Sequence, residues 1–241
     1  MKSNHIIIIL LATLLTACAT TGDNPKDPYE ERNRAVWEFN RSIDKALLKP
    51  VAEGYQYITP DPVETGVSNF FDNIGEISNI VNALLQAKFG DAGKSTGRFL
   101  INSTIGIAGL LDPATEMGIE EQDEDFGQTL AVWGFESGPF LMLPLIGPSN
   151  ARDGIGFAVD SFGVYSPYDS LNDSQTEWTL RSLWLIDTRA QLLPLEEQLE
   201  EALDEYLMVR DAYLQRREFL IYDGRPPIED ECEFEEDCEE W

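Results

Sequence analysis

The sequence predicts a mostly helical, single-domain protein made of amphipathic segments and attached to a membrane. Three observations carry that expectation. Apolar residues recur at helical spacing in four segments. No apolar run reaches the roughly 20 residues that a membrane-crossing helix needs. The N terminus reads as an export signal that ends in a cysteine.

Residues 1–17 carry Lys2 and the near-continuous apolar stretch Ile6 to Leu15, the charged and apolar regions of a secretory signal. The small pair Thr16-Ala17 precedes Cys18, which resembles the bacterial lipobox. Cleavage before Cys18 and acylation of that residue are therefore expected. Several acyl chains, each buried CH₂ contributing about 0.8 kcal/mol, make a durable anchor. The alternative is an ordinary signal peptide with a chance cysteine.

Residues 18–28 read as a short polar tether, and residues 29–224 as one domain. From Tyr29 to Leu48, Val36, Phe39, Ile43 and Ala46 or Leu47 fall on one helical face. Pro50 and Pro60-Asp61-Pro62 are expected to stop that helix. A second helix is expected from Ile74 to Phe89, striped by Ile77, Ile80, Val81, Leu84 and Leu85, with Glu76, Asn79, Asn82 and Lys88 off the stripe. Such a stripe is more often core than membrane-facing. A third helix covers Thr176 to Leu193, and a fourth, long one runs from Leu195 to about Ile221. Between them, Phe99–Leu111 and Gly138–Pro148 are uncharged, apolar and broken by Gly or Pro, with no clean period. They read either as buried packing segments or as pieces that dip into lipid.

Charge excludes several functions. The chain carries a net charge of −27, and from Glu116 to Trp241 seven basic residues face thirty-one acidic ones. Phosphate contacts need clustered Lys and Arg, so nucleic acid is excluded as a partner. Tight binding of this half to an anionic lipid surface is equally disfavoured. The sole histidine, His5, lies in the expected signal. The mature chain then lacks imidazole for a Ser-His-Asp or Cys-His site, or for a His-based metal site. Gly93-Lys94-Ser95 lacks the Gly five positions earlier that a phosphate loop requires, since position 88 is Lys. No Gly-x-Ser-x-Gly elbow occurs, and the acidic run Glu116–Asp125 reads as a solvated loop. No enzyme, metal or cofactor is implied. In the acidic tail 225–241, Cys232 and Cys238 suit a local disulfide in an oxidising compartment. A calcium loop fits less well, because the Gly and alternating Asp/Asn of an EF-hand are missing; a solvated tail is the default.

Several segments together form a known pattern: Asp27-Pro28-Tyr29-Glu30, Asn33-Arg34, Phe39-Asn40, Lys49-Pro-Val-Ala52, and Gly66 to Asn73. Asn82 to Gln86, Arg98 to Gly106, Asp125 to Leu130 and Gly138 to Pro144 continue it. Gly147-Pro-Ser149, Arg152-Asp153 and Asp187 to Leu193 complete it. In this order, from Asp27 to about Asp223, the chain resembles the VacJ/MlaA family of outer-membrane lipoproteins. It departs at Glu31-Arg32, where the family usually has Gly-Phe before the Asn-Arg pair, and nothing carries over to the tail.

The resemblance implies a helical, ring-shaped body in the inner leaflet of a Gram-negative outer membrane, around an amphipathic channel. It implies association with a trimeric porin and removal of phospholipid mislocalised to the outer leaflet. A soluble periplasmic carrier would receive that lipid for return to the inner membrane, which maintains lipid asymmetry. Ala19 after Cys18 fits outer-membrane sorting. A lipid passage must be polar on one side and apolar on the other. Ile101, Ile105, Gly106, Ile107, Gly109, Leu110, Leu111, Phe140, Leu141 and Leu143 are accordingly the expected lipid-contacting or gating residues, with Gly106 and Gly109 giving backbone freedom. Arg98 and Arg152 suit either phosphate or, by preference, structural ion pairs. Two rival functions stay open: a porin-associated scaffold without transport, and a periplasmic phospholipid hydrolase.

Overall fold

The computed structural model describes residues 24–162 and 174–227. Cys18, Cys232 and Cys238, with the anchor and disulfide expectations they carry, lie outside the described residues. The architecture is helical, with a single two-stranded ribbon among the described residues. None of the described helices is long and apolar enough to cross a membrane.

Helix α1 (Glu30–Ile43) opens on Glu30 and Glu31 and ends near Arg41, charges that suit the two ends of the helix dipole. A π-helical turn, Asp44–Leu48, leads directly into α2 (Lys49–Ile58). Pro50 therefore does not stop the helix as expected. It sits in the first turn of α2, directly after the π-helical turn, so the helix widens locally ahead of the proline instead of ending. Pro60-Asp61-Pro62 likewise starts a helix: α3 runs from Asp61 to Leu85, thirteen residues earlier at its start than its apolar stripe suggested. Ala87, at φ 61°, turns the chain back, and the Lys88 N–H donates to the Ala83 carbonyl, a left-handed helix end. Helix α4 (Phe89–Thr104) then lies along α3.

Two short helices carry side-chain caps. Asp112 caps α5 (Pro113–Glu116) by accepting from the Thr115 N–H, and Asp125 caps α6 (Phe126–Val132) by accepting from the Gln128 N–H. Antiparallel strands β1 (Phe140–Leu143) and β2 (Gly147–Asn150) pair Phe140 with Asn150 and Leu143 with Gly147. They lead into α7 (Ala151–Phe162). Helix α8 spans Ser174–Gln191. The expected continuous helix 195–221 is instead broken. A 3₁₀ turn (Leu193–Leu195), α9 (Glu196–Glu200) and α10 (Glu205–Ile221) replace it. Asp204 causes the break: it caps α10 by accepting from the Leu207 N–H and takes two hydrogen bonds from the Arg34 guanidinium, at 2.7 and 3.1 Å.

The free edge of β1 is covered by two asparagines one heptad apart on α1. Asn33 donates to the Phe140 carbonyl (3.1 Å) and accepts from the Met142 N–H (2.9 Å). Asn40 donates to the Leu143 carbonyl (2.9 Å) and accepts from the Leu145 N–H (2.8 Å). Each side-chain amide thus replaces the peptide group of a missing neighbouring strand. Phe140, Met142 and Tyr206 form the apolar core below, flanked by Val36, Trp37, Leu207, Tyr213 and Leu214. Asp27, which the sequence reading placed in the polar tether, is fully buried. It accepts from the Tyr206 hydroxyl and from Asn33, so the chain is pinned to the body before α1 begins.

Contacts between elements run round a closed circuit. Helix α1 packs on β1, β2 on α7, α7 on α6, α6 on α3, α3 on α8 and α8 on α2, which continues from α1.

Candidate functional site

The described residues invert the distribution of a water-soluble domain. Only nine hydrophobic residues are buried and five of them are alanines, whereas nineteen polar or charged residues are buried. Large apolar side chains stand outside, among them Leu84, Leu85, Ile107, Phe135, Leu145 and Phe162. In water so much exposed apolar surface would drive association. Against hydrocarbon it costs nothing, and it is the polar groups that must turn inward and satisfy each other.

Helix α3 shows the inversion most directly. Its predicted inward stripe faces out: Leu84 and Leu85 are exposed, and Ile77, Ile80 and Val81 only half-buried. Its buried polar face is the row Asn73, Glu76, Asn79 and Asn82, continued by Gln86 at the helix end, spaced by three or four residues as one helical face requires. The row is bonded along its length. Asn79 accepts from the Glu124 N–H (3.1 Å) and Asn82 accepts from the Thr129 hydroxyl (2.9 Å). Asn82 also donates to Asp160 (3.1 Å), and Gln86 donates to Glu124 (2.6 Å). These bonds fasten α6 and α7 to α3.

Arg98 closes the row from α4. Its guanidinium donates to Glu76 (2.6 Å), Asp112 (3.0 Å), the Thr115 hydroxyl (2.9 Å) and the Ile119 carbonyl (2.6 Å). Two carboxylates already face it and its fork is committed within the protein, so Arg98 is an ion-pairing residue rather than a phosphate receptor. Arg152 is bonded to Asp153 (3.0 Å) and to the Phe135 carbonyl, the structural role again. Burial alone would raise the pKa of Asp112; hydrogen bonds from Thr115, Asn102 and Arg98 outweigh it and hold it at about 2. Gly93-Lys94-Ser95 lies inside α4 with Lys94 paired to Asp91 (2.8 Å), so no phosphate loop exists there.

Residues 105–111, joining α4 to α5, bring most of the expected lipid-contacting residues together. The side chains of Ile105, Ile107, Leu110 and Leu111 are all exposed, Ile107 to 63%. The backbone beneath them is held tightly. The Gly109 N–H donates to the Asn102 carbonyl (2.8 Å), and Asn69 of α3 donates to the Leu110 carbonyl (3.2 Å). Ile101, one turn back on α4, is half-buried. Of the hairpin residues, Leu141 and Leu143 point away from the core and are partly accessible, whereas Phe140 is 1% exposed. Phe140 therefore does not contact lipid as expected: its ring stacks edge-on against Tyr206 and Tyr213.

The sequence places Glu121 in the acidic run Glu116–Asp125 and Asp72 in the family segment Gly66 to Asn73, but assigns neither a role, because one acid among many gives no signal. Both side chains are exposed, and the protein packed around them removes part of the water from each carboxylate. Enclosure pushes Asp72 up to about 6. Asp187, Asp112 and Glu76 add to the rise and Arg98 opposes it. Enclosure likewise pushes Glu121 up to about 7, with Asp72, Glu76 and Asp123 adding and Arg98 opposing. Both folded values lie above the ordinary 3.8 and 4.5. The folded state therefore holds these protons longer than the unfolded chain, and stability falls as pH rises from about 4 to about 7. The unfolding midpoint of detergent-purified protein is expected to drop over that window. The double variant Asp72→Asn, Glu121→Gln should flatten the drop, and an unchanged slope would show that these groups do not carry it.

The comparisons with known proteins agree with this geometry. The family model described as MlaA lipoprotein matches residues 25–220, nearly the stretch over which the sequence resemblance runs. The intermembrane phospholipid transport system lipoprotein MlaA of Escherichia coli is 34% identical over 231 residues, 93% of this chain and 91% of that one. Its counterpart in Haemophilus influenzae is 31% identical, covering 93% of each chain. An uncharacterized protein of Rickettsia typhi is 35% identical over 81% of this chain and 78% of its own length. A solved structure described as the structural basis for maintenance of bacterial outer membrane lipid asymmetry superposes with a TM-score of 0.69. Its sequence is 34% identical, and the match covers 81% of this chain and 98% of that one.

Proposed function

Since the chain belongs to the MlaA lipoprotein family, we propose that it is an outer-membrane lipoprotein, not an enzyme, that gives phospholipid a passage out of the outer leaflet. Lipid mislocalised there would move through the helical body to a soluble periplasmic carrier and return to the inner membrane. A trimeric porin would hold the body in place, and acylated Cys18 would tether it from the periplasmic side.

The observation that carries this reading is the inversion of polarity. A body with apolar side chains outside and a bonded asparagine, glutamate and arginine row inside suits immersion in one leaflet with a polar passage within. The relatives named for phospholipid transport point the same way. Loop 105–111 is the element suited to gate the passage, with exposed apolar side chains on a backbone held by α3 and α4. Lipid moving down its gradient through such a passage requires no nucleotide.

The test is to place charge on that loop. Ile107→Asp and Leu110→Asp alter exposed side chains, so folding should survive. Phospholipid on the outer leaflet of intact cells is expected to rise while co-purification with porin is unchanged. If lipid levels never move, the scaffold reading replaces this one. Release of free fatty acid from phospholipid by the purified protein would instead establish a hydrolase.

A further inference from the structure

An open groove of about 560 Å³ lies between the β hairpin and α7, within the size range of ligand sites. Leu141 and Leu143 form one wall, on the face of β1 opposite the buried Phe140 and Met142. The other wall is one stripe of α7: Ala151, Gly154, Ile155, Ala158, Val159 and Phe162 recur at three- and four-residue spacing. The small residues among them make a floor. The groove follows α7 for about 16 Å, at 1.5 Å per residue.

Its near end is where the N-terminal segment meets the body. The Phe140 N–H donates to the Lys26 carbonyl (3.2 Å), and Phe140 pairs with Asn150, which lines that end of the groove. In a chain cleaved before Cys18, the six residues Cys18 to Asp23 precede the first described residue, Asn24. Six residues reach at most about 20 Å even when fully extended, so an acyl group on Cys18 is rooted within that reach of Asn24, two residues before the contact of Lys26 with Phe140. The groove offers apolar walls and little else, so a hydrocarbon chain suits it where a polar ligand would not.

We propose that this groove seats an acyl chain of the protein's own N-terminal lipid anchor, running from the hairpin toward Phe162. The anchor would then be a packed part of the body rather than a loose tether, and it would fix how α7 and the hairpin sit in the leaflet. This inference rests on the reading of Cys18 as acylated.

The test uses the full-length protein in outer membranes, with p-benzoylphenylalanine replacing Leu143 as a photo-crosslinker. Trypsin cleavage after Lys26 releases the lipopeptide 18–26, whose mass reports acylation directly. The expected product joins the peptide containing position 143 to an acyl carbon of that lipopeptide. Ala158→Trp, which fills the floor, should abolish that product while leaving circular dichroism and acylation unchanged. Cross-links confined to phospholipid, to residues 163–173 or to another protein would overturn the inference and leave the anchor standing, as would no cross-link from an acylated protein. An unacylated N-terminal peptide would overturn both.

Discussion

Replacing Arg98 with Ala is expected to destabilise the protein by about 3–5 kcal/mol, the usual cost of removing one partner from a buried ion pair. The Arg98 and Glu76 side chains are only 3% and 2% exposed. The loss strands the Glu76 carboxylate, which keeps just one hydrogen bond, from Asn79 (3.2 Å). Asp112, the Thr115 hydroxyl and the Ile119 carbonyl lose a donor at the same time. Against a total stability of about 5–15 kcal/mol for an ordinary domain, this one change removes much of the margin. Arg98→Lys keeps the charge but not the planar fork that reaches four acceptors, and should recover only part of the loss. Arg98→Met with Glu76→Leu removes both charges and should be milder than Arg98→Ala alone, since no unpaired ion is left at position 76. Unfolding in mild detergent, followed by circular dichroism against urea, measures all three. A loss below about 1 kcal/mol for Arg98→Ala, the level of a surface pair, would show that the α3–α4 contact does not depend on it.

The same residues show what could be read from the sequence. Helical periodicity finds α1, the second half of α3, α8 and the stretch of α9 and α10, but not α4 or α7; the family pattern finds Asn33, Asn40, Asn82, Gln86, Arg98 and Asp153. Periodicity divides a helix into two faces but does not say which solvent each face meets. On α3 periodicity therefore points the apolar face to the core, when it is the asparagine face that is buried. Prolines are ambiguous for a related reason. Pro50 and Pro62 mark helix starts as well as stops, and only the neighbouring turn decides between them. The break before α10 depends on Asp204 meeting Arg34, 170 positions away in the sequence, a contact no local pattern contains. The β hairpin, turned by Pro144-Leu145-Ile146 without the usual Asn-Gly signal, depends on Asn33 and Asn40 in the same way.

Gly106→Ala and Gly109→Ala should each disable the loop, for reasons other than the freedom of movement the sequence suggested. A Cβ on Gly106 would stand 2.3 Å from the Leu111 carbonyl oxygen and 2.5 Å from that of Asn102. Both obstacles are backbone, so no side chain can turn aside. Gly109 has φ 89°, and its Cβ would meet the Asn73 Cβ at 2.7 Å. Overpacking of this kind costs about 1–3 kcal/mol, and at Gly109 the left-handed backbone adds about 1–2 kcal/mol. The cheapest relief is for residues 105–111 to lift away, breaking the bonds from Gly109 to Asn102 and from Asn69 to Leu110. Gly93 lies inside α4 with nothing within 4 Å of the place a Cβ would take, and serves as the control. Gly93→Ala should raise stability by about 0.5–1 kcal/mol through helix propensity alone. If the loop gates lipid, both loop variants should raise outer-leaflet phospholipid, measured as the amount cleaved by phospholipase added to intact cells, whereas Gly93→Ala should not. Loss of stability without any change in cleavable lipid would mean that the loop is a structural clasp between α3 and α4 and that the passage is controlled elsewhere.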